Sequence, residues 1–282
     1  MKIYNSLTRT KEDFTPITQG IVQMYVCGPT VYDYLHIGNA RPLVVFDTLA
    51  RHLITLGYKV NYVQNFTDID DKIINRAAAE NKSPTDISKK FIEEASKDME
   101  ALNVVMQSKS PTVTEDMPEI ISMIKELIAK NNAYITNGSV YFNTPSYTAY
   151  GALKQLQEDT ETRLSEDDDK KHPTDFVLWK AKKDGEPISY NSPWGEGRPG
   201  WHIECSAMIK KHLGTIIDIH GGGFDLLFPH HENEIAQSCC ANETNRLANY
   251  FMHNNFINID NAKMAKSSGN FITIRDVGEK YG

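Results

Sequence analysis

The strongest constraint on the fold is a strand–helix–strand pattern near the start of the chain. A short apolar run from Ile21 to Val26 ends at the turn-forming pair Gly28–Pro29. A helix is predicted next, ending at Gly57, because apolar residues recur at helical spacing: Leu43, Phe46, Leu49, Leu53 and Leu56. The segment KVNYVQ then predicts a second strand. This order predicts an α/β protein with a parallel sheet.

The middle of the chain has a different pattern. Ser83 and Pro84 predict the start of a helix, a second helix is predicted within 115–132, and Asn137–Gly138 predicts a hairpin. The charged stretch 157–173 is predicted to be a solvated loop. The α/β pattern resumes with the strand TIIDIHGGG, the helix PHHENEIAQSCCA and the strand-like YFMHNNFINID. We therefore divide the chain into 1–115, an inserted module at 116–200, and 201–282.

Composition excludes several classes of protein. The chain has 282 residues, of which 40% are hydrophobic and 24% charged, as in an ordinary globular protein. It contains no apolar run that could span a bilayer and no N-terminal signal sequence, so we expect a cytoplasmic protein. The net charge of -7 argues against nucleic-acid binding through overall charge, although a local basic groove stays open. The four cysteines form no C-x-x-C pair, and structural disulfides are not expected.

A cluster of metal-binding residue types lies late in the chain. Five of the nine histidines fall between His202 and His231. If Pro229 lies in the first turn of a helix, then His230 and Glu234 share one face and could share an ion. Cys27 and Cys205 lie near strand ends, which gather at one edge of a parallel sheet. The four side chains would form a tetrahedral zinc site. Spacing alone leaves three competing ligands: His202, His231 and Glu232.

Two short motifs have the chemistry of phosphate binding. HIGN, from His36 to Asn39, opens a helix, whose N-terminus attracts anions, and Gly38 lets a ligand approach the backbone. KMAKS, from Lys263 to Ser267, holds two lysines that could neutralise a triphosphate. Alone, HIGN is also typical of a capping turn with a packed histidine, and the two lysines of KMAKS are more commonly part of a solvated basic loop.

Together, and separated by an inserted module, these motifs resemble the HIGH and KMSKS motifs of class I aminoacyl-tRNA synthetases. Further stretches resemble the cysteinyl-tRNA synthetase family over nearly the whole chain: MYVCGPTVYDYLHIGNAR, NFTDIDDKI, DFVLWK, GRPGWHIECSAM, DIHGGGFDLLFPHHENEIAQS and KMAKSSGNF. The resemblance implies a Rossmann-like parallel-sheet catalytic domain with an inserted connective module.

The resemblance also implies roles for individual residues. The zinc ligands of the family fall on Cys27, Cys205, His230 and Glu234. Its catalytic motifs fall on His36, Asn39, Lys263 and Lys266, and its ATP contacts on His36, Gly38, Asn39 and Lys266. Its cysteine pocket falls on Gly28, Thr67, Trp201, His220 and Asp225. Two positions depart from the family motifs: Asn39 replaces a histidine but keeps a hydrogen-bond donor, and Ala265 replaces a serine, which puts loop closure in question.

The reaction implied by the resemblance joins cysteine to tRNA(Cys) at the expense of ATP, with Mg²⁺ accompanying the nucleotide and one Zn²⁺ per chain. Zinc would select the thiol, because serine differs by one atom and its hydroxyl binds zinc poorly. We expect a monomer without membrane contact. The family carries a helical anticodon-binding domain after the KMSKS loop, and this chain ends about where it would begin. We therefore expect a catalytic portion that activates cysteine but charges tRNA poorly.

Three rival hypotheses make different predictions. An ATP-dependent ligase of the mycothiol-pathway type would join cysteine to an amino sugar, and an acceptor assay separates it from the synthetase. A hydrolase is suggested by HGGG at 220–223, but the chain has no G-x-S-x-G nucleophile turn. A non-enzymatic zinc-binding interaction module would leave HIGN and KMAKS without a purpose, and failure to bind ATP would favour it.

Overall fold

The computed structural model of the protein describes residues 1–105, 107–153, 169–259, 262–263 and 271–281. Its strands are β1 Lys2–Asn5, β2 Thr10–Asp13, β3 Ile21–Val26, β4 Lys59–Gln64, β5 Ala133–Thr136, β6 Ser139–Phe142, β7 Phe176–Ala181, β8 Gly197–Pro199, β9 Ile217–Gly223, β10 Ala248–Asn254, β11 Asn258–Ile259 and β12 Ala262–Lys263. Its α-helices are α1 Ile37–Thr55, α2 Asp71–Glu80, α3 Pro84–Ala101, α4 Met117–Ala129, α5 Trp201–His212, α6 Glu232–Asn242 and α7 Ile274–Tyr281. None of the helices in these ranges is both long and apolar enough to cross a bilayer.

A four-stranded parallel sheet in the order β10-β9-β3-β4 organises the fold, which confirms the predicted α/β class. The chain leaves β3 through α1 toward β4 on one side of the sheet, and leaves β9 through α6 toward β10 on the other. The carboxyl ends of β3 and β9 are therefore a topological switch point, where parallel sheets open a crevice that binds ligands.

Helix α1 lies between β3 and β4, as the periodicity predicts. His36 caps its first turn, and Gly57 follows its end with a φ of 92°. The helix buries Phe46 and Leu53 against the sheet and Leu43 in a separate cluster with α2 and α3, whereas Leu56, one residue beyond the helix, is 49% exposed. The apolar periodicity therefore extends one residue past the end of the helix.

A second sheet, antiparallel in the order β5-β6-β7-β8, lies between the two halves of the parallel sheet in sequence. The predicted helix start at Ser83 and the predicted hairpin are both present, and Asn137 and Gly138 have the positive φ values that a tight hairpin requires. The predicted charged loop 157–173 lies largely outside the described residues. The division at residues 115 and 200 stays a prediction.

The two sheets share one hydrophobic core. Ile124 of α4 and Trp179 of β7 belong to the same buried cluster as Ile203 of α5 and Ala236 of α6. Cys239 is buried in this cluster, and Cys240 packs against it while remaining partly exposed. The antiparallel sheet is thus packed against the helices that carry the candidate site.

Two predicted elements have different bounds in the structure. Helix α6 begins at Glu232, since a separate helical turn at Leu227–His231 precedes it. The predicted last strand is divided into β10 and β11 by the segment 255–257. That segment lines the cavity described next.

Candidate active site and metal centre

A cavity of about 380 Å³ opens at the carboxyl ends of β3 and β9. Its wall is formed by the chain after β3, the start of α1, the first turn of α2, and the segments after β9 and β10. Its lining includes Cys27, Gly28, Tyr32, His36, Gly38, Asn39, Lys72, Trp201, Asp225, Asn254 and Asn255. The cavity therefore lies at the switch point of the sheet.

Close backbone approach shapes this end of the sheet. At Gly28, an added Cβ would lie 1.6 Å from the carbonyl oxygen of Asn65, so no side chain fits there. The Asn65 side chain accepts hydrogen bonds from the Gly28 amide at 2.9 Å and from the Tyr25 hydroxyl at 3.0 Å. The end of β3 is thus fixed against the end of β4, and Cys27 with it.

The structure brings together the four residues predicted to bind zinc. One ligand atom from each of Cys27, Cys205, His230 and Glu234 lies within 4.8 Å of the others. The two sulfurs are 3.8 Å apart, Cys27 Sγ is 3.4 Å from Glu234 Oε1, and His230 Nε2 is 2.9 Å from that same oxygen. Two thiolates held tetrahedrally at about 2.3 Å from one zinc ion would lie about 3.8 Å apart. The donor set and its spacing therefore fit zinc.

A second group competes for the same place. Cys27, His220, His231 and Glu234 also bring ligand atoms within 4.8 Å of one another. In this group His231 Nε2 lies 3.3 Å from Cys27 Sγ, and His220 Nε2 lies 2.7 Å from Glu234 Oε2. Spacing along the helix predicts the pair His230 and Glu234 but leaves His231 open, and the structure keeps both histidines at the site.

Unsatisfied hydrogen bonding favours the first group. Among the described residues, the buried His230 Nε2 forms no hydrogen bond of good geometry although it lies 2.9 Å from Glu234 Oε1, while its Nδ1 lies 2.8 Å from His202 Nδ1. The Nδ1 of His231 lies 2.8 Å from His253 Nε2, and its Nε2 lies 3.3 Å from Cys27 Sγ. A buried nitrogen that faces the other ligand atoms without a well-formed hydrogen bond, on a ring oriented through its other nitrogen, fits a metal-binding histidine.

Two of the remaining candidate ligands have structural roles. His202 lies behind His230, and burial lowers its pKa well below the ordinary value. The Glu232 carboxylate accepts hydrogen bonds from the backbone amides of Gly151 and Leu153, at 2.8 and 2.9 Å. Glu232 thus connects α6 to the chain beyond β6, away from the metal centre.

Burial and proximity set the charges of the first group. Cys205 accepts a hydrogen bond from the Cys27 thiol, which lowers the pKa of Cys205 to about 6, while burial raises the pKa of Cys27. Burial opposes charge on His230 and Glu234, but the negative carboxylate raises the pKa of His230 to about 10. His220 and His230 hold the pKa of Glu234 well below its ordinary value. Both shifts favour the anionic forms of Cys205 and Glu234, which suit a divalent cation.

The predicted cysteine pocket is only partly at the cavity surface. Gly28, Trp201 and Asp225 line the cavity, and the half-exposed Trp201 ring lies 4.2 Å from the ring of His230. The structure places Thr67 and His220 behind that surface. Thr67 is buried beneath the loop after β3, where its Oγ1 lies 3.4 Å from Glu204, and His220 is fully buried against Glu234.

The HIGN turn forms another part of the wall. His36 is the N-cap of α1, and its Nδ1 accepts from the Asn39 amide while Asn39 Oδ1 accepts from the His36 amide, both at 3.2 Å. Asn39 thus serves as a helix cap in the place where the resemblance implies a ligand donor. Because this contact uses Oδ1, the side-chain nitrogen Nδ2 of Asn39 stays available, among the described residues, to a ligand in the cavity.

The KMAKS motif lies mostly outside the described residues, and this includes Ala265 and Lys266. Lys263 lies on β12, whose backbone pairs with β11. The chain just beyond the motif returns to the HIGN turn, since the Ile37 amide donates to the Ile272 carbonyl at 3.0 Å and His36 pairs with Thr273. Segments flanking both motifs therefore meet at the start of α1.

Sequence reasoning missed six polar residues of the wall: Thr30, Tyr32, Gln64, Lys72, Asn254 and Asn255. Asn254 ends β10 and Asn255 follows it, so the rule that ligands bind beyond the carboxyl ends of parallel strands could have predicted both. Lys72 lies in the first turn of α2, and nothing in its spacing distinguishes it from a solvated lysine.

Comparison with known proteins identifies the family. The family model of the class I (C) tRNA synthetase catalytic domain matches residues 13–282. A cysteine–tRNA ligase of Clostridioides difficile (strain 630) is 57% identical over 284 residues, which cover 100% of this chain and 61% of that protein. The cysteine–tRNA ligase of Lachnoclostridium phytofermentans is 56% identical, covering 100% of this chain and 60% of the relative. The chain thus spans about three fifths of the length of these curated relatives.

Solved structures confirm the fold at low sequence identity. The methionyl-tRNA synthetase of Mycobacterium tuberculosis in complex with methionyl-adenylate superimposes with a TM-score of 0.71 at 13% identity, covering 93% of this chain and 62% of that one. A putative arginyl-tRNA synthetase of Campylobacter jejuni has a TM-score of 0.61 at 14% identity, covering 95% and 62%. The shared architecture is the Rossmann-like catalytic fold. Together with the sequence match over residues 13–282, it shows that the chain belongs to the class I (C) tRNA synthetase catalytic-domain family.

Proposed function

We propose that this chain is the catalytic part of a cysteine–tRNA ligase, which activates cysteine with ATP and transfers it to tRNA(Cys). The observation that carries the proposal is the buried group Cys27, Cys205, His230 and Glu234 beside the cavity that the HIGN turn also lines. Such a group would recognise a thiol at one end of a nucleotide site. The amino-sugar ligase hypothesis is not favoured, because relatives at 55–57% identity are named cysteine–tRNA ligases.

In the first step of the proposed reaction, the cysteine carboxylate attacks the α-phosphate of ATP, and pyrophosphate leaves. In the second, a ribose hydroxyl at the tRNA 3′ end attacks the adenylate. Neither step requires an enzyme nucleophile, so this chain would act by positioning and by stabilising charge. The start of α1, with His36, Gly38 and Asn39, would hold the phosphates at the positive end of the helix. Lys263 and Lys266 would bind the leaving pyrophosphate.

Selection of cysteine is assigned to the metal group and its neighbours. Bound zinc would supply a site for a soft thiolate, for which a serine hydroxyl is a poor substitute. The carboxylate of Asp225, exposed at the cavity wall, is suited to the substrate amine. Trp201 lies over His230 and would close the pocket above the substrate side chain. The cytoplasmic location and the monomeric state stay predictions from the sequence.

The proposal is tested by zinc analysis and ATP–pyrophosphate exchange, with cysteine and serine compared. We expect one zinc per chain and a preference for cysteine well above about 200-fold, which exceeds what a pocket without a metal achieves for near-isosteres. Exchange without zinc, or with equal use of serine, would contradict the proposal.

Cys205→Ser provides the matched mutational test. The variant should lose zinc and cysteine-dependent exchange together, since it removes one of two thiolates from the site. Cys240→Ser is the control, because Cys240 is partly exposed and lies outside both candidate ligand groups. Retention of zinc and exchange by Cys205→Ser would rule out the assigned ligand set.

A further inference from the structure

Two charged residues of opposite sign line the cavity. Among the described residues of the wall, Lys72 is the one lysine or arginine and Asp225 the one carboxylate. A nucleotide triphosphate carries several negative charges, and the whole chain has a net charge of -7. Attraction of such a ligand therefore depends on local positive charge.

The backbone that carries Lys72 is held in place on both sides. The Asp70 side chain caps α2 by accepting from the Lys72 amide at 2.9 Å. The adjacent Asp71 forms ion pairs with Lys180 of β7 at 2.8 Å and with Arg198 of β8 at 2.9 Å. The turn that presents Lys72 is thus anchored to the antiparallel sheet.

The ammonium group of Lys72 is available for a ligand. Within the described ranges it forms no ion pair, and its Nζ lies 5.7 Å from the centroid of the Tyr32 ring, which also lines the cavity. Its place in the first turn of α2 is unfavourable for a cation, because that end of a helix is positive. An anion in the cavity would offset this cost.

We propose that Lys72 is a third phosphate-binding cation of the active site, which contacts the polyphosphate of MgATP in addition to the two lysines of the KMAKS motif. The inference rests on the proposed function, since it assumes an ATP-dependent activation step. Lys72 would approach the nucleotide from the α2 side of the cavity. Asp225, at the same wall, would receive the cationic amine of the amino acid.

The test is steady-state ATP–pyrophosphate exchange by Lys72→Ala, Lys72→Gln and Lys72→Arg, without tRNA. Loss of the charge should raise the KM for MgATP on the order of tenfold, as for one charge-assisted hydrogen bond, with the KM for cysteine unchanged. In Lys72→Arg, which keeps the positive charge, the KM for MgATP should stay close to that of the wild type. High ionic strength should narrow the difference between the wild type and Lys72→Ala, because salt screens an exposed charge.

Lys90→Ala is the matched control. The Lys90 ammonium also lies over an aromatic ring, 4.7 Å from the centroid of Phe91, but it does not line the cavity. An unchanged KM for MgATP in Lys72→Ala would overturn the proposal. A rise confined to the KM for cysteine would do so as well, since it would assign Lys72 to the substrate carboxylate.

Direct MgATP titration separates this inference from the proposed function. If the wild type binds MgATP but shows no cysteine-dependent exchange, the proposed function fails while the role of Lys72 is still measured. Binding about tenfold weaker in Lys72→Ala than in Lys90→Ala would support the role, and equal binding would refute it.

Discussion

The adjacent residues His230 and His231 offer the same side chain to the same centre, but their outer nitrogens have different partners. His230 contacts His202 through Nδ1 and directs Nε2 toward Glu234 without a well-formed hydrogen bond, whereas His231 contacts His253. We therefore expect His230→Gln to lose zinc affinity by more than the about 10–100-fold typical of an outer partner. His231→Gln should stay within that range.

The measurement is competition with a chelator on the wild type and both variants, with melting temperatures as the folding control. His231 is fully buried, so its replacement should lower stability more than zinc affinity. Zinc loss in His231→Gln together with zinc retention in His230→Gln would assign the ion to the group with His220 instead.

Residue types and spacing predict only part of this site. The i, i+4 spacing selects His230 and Glu234, and the end of β3 selects Cys27, because these rules depend on local geometry. The expectation that Cys205 also lies near the end of a parallel strand is wrong, since Cys205 lies within helix α5. The same sequence gives no sign that Thr67 and His220 lie behind the cavity surface. Their burial depends on packing between segments that are distant in the chain.

At the scale of elements, the close contact between the ends of β3 and β4 requires a glycine at position 28. Gly28→Ala would place a Cβ 1.6 Å from the Asn65 carbonyl oxygen, so β3 and β4 must separate where Cys27 is held. We expect a loss of about 1–3 kcal/mol in the free energy of unfolding, as for overpacked cores, together with weaker zinc binding.

Denaturant unfolding and zinc titration check this expectation, and Gly278→Ala is the control. Gly278 lies within α7, and an added Cβ there meets nothing within 4 Å. The free energy of unfolding of the control should rise by about 0.5–1 kcal/mol, since alanine is the better helix former. Equal stability of Gly28→Ala and the wild type would show that the strand ends can separate without cost.

Local signals predict most elements but not all of their ends. The caps at His36 and Ser83 and the hairpin at Asn137–Gly138 are formed by side chains and backbone within a few residues. The start of α6 instead lies next to the metal-ligand candidates His230 and His231, and the break between β10 and β11 lies at the cavity wall. There the ends of the elements depend on contacts around the site, and hydrophobic periodicity does not predict such contacts.

At the scale of the whole molecule, the order of the strands is what sequence alone leaves open. The βαβ pattern predicts a parallel sheet, but the pairing of β3 with β9 joins segments almost 200 residues apart. This pairing creates the switch point and brings Cys27 next to His231 and Glu234. The resemblance to the family over nearly the whole chain implied that Cys27 and Glu234 bind the same ion, and so that the segments that carry them meet.

The shared core predicts that both sheets unfold together. Ile124 of α4 is fully buried in the cluster that joins the antiparallel sheet to α5 and α6. Ile124→Ala should destabilise the protein by about 2–5 kcal/mol and shift every probe equally. Tryptophan fluorescence follows Trp179 and Trp194 of the inserted region and Trp201 at the cavity, while zinc release follows the metal centre.

Ile135→Ala is the matched control, because Ile135 lies on β5 of the same antiparallel sheet but is 52% exposed. Its free energy of unfolding should stay within about 0.5 kcal/mol of that of the wild type. Two separate transitions in the Ile124→Ala variant, with fluorescence changing before zinc is released, would show that the antiparallel sheet unfolds on its own. A single transition would mean that the metal centre depends on the packing of the antiparallel sheet, because the helices that carry Cys205 and Glu234 share its core.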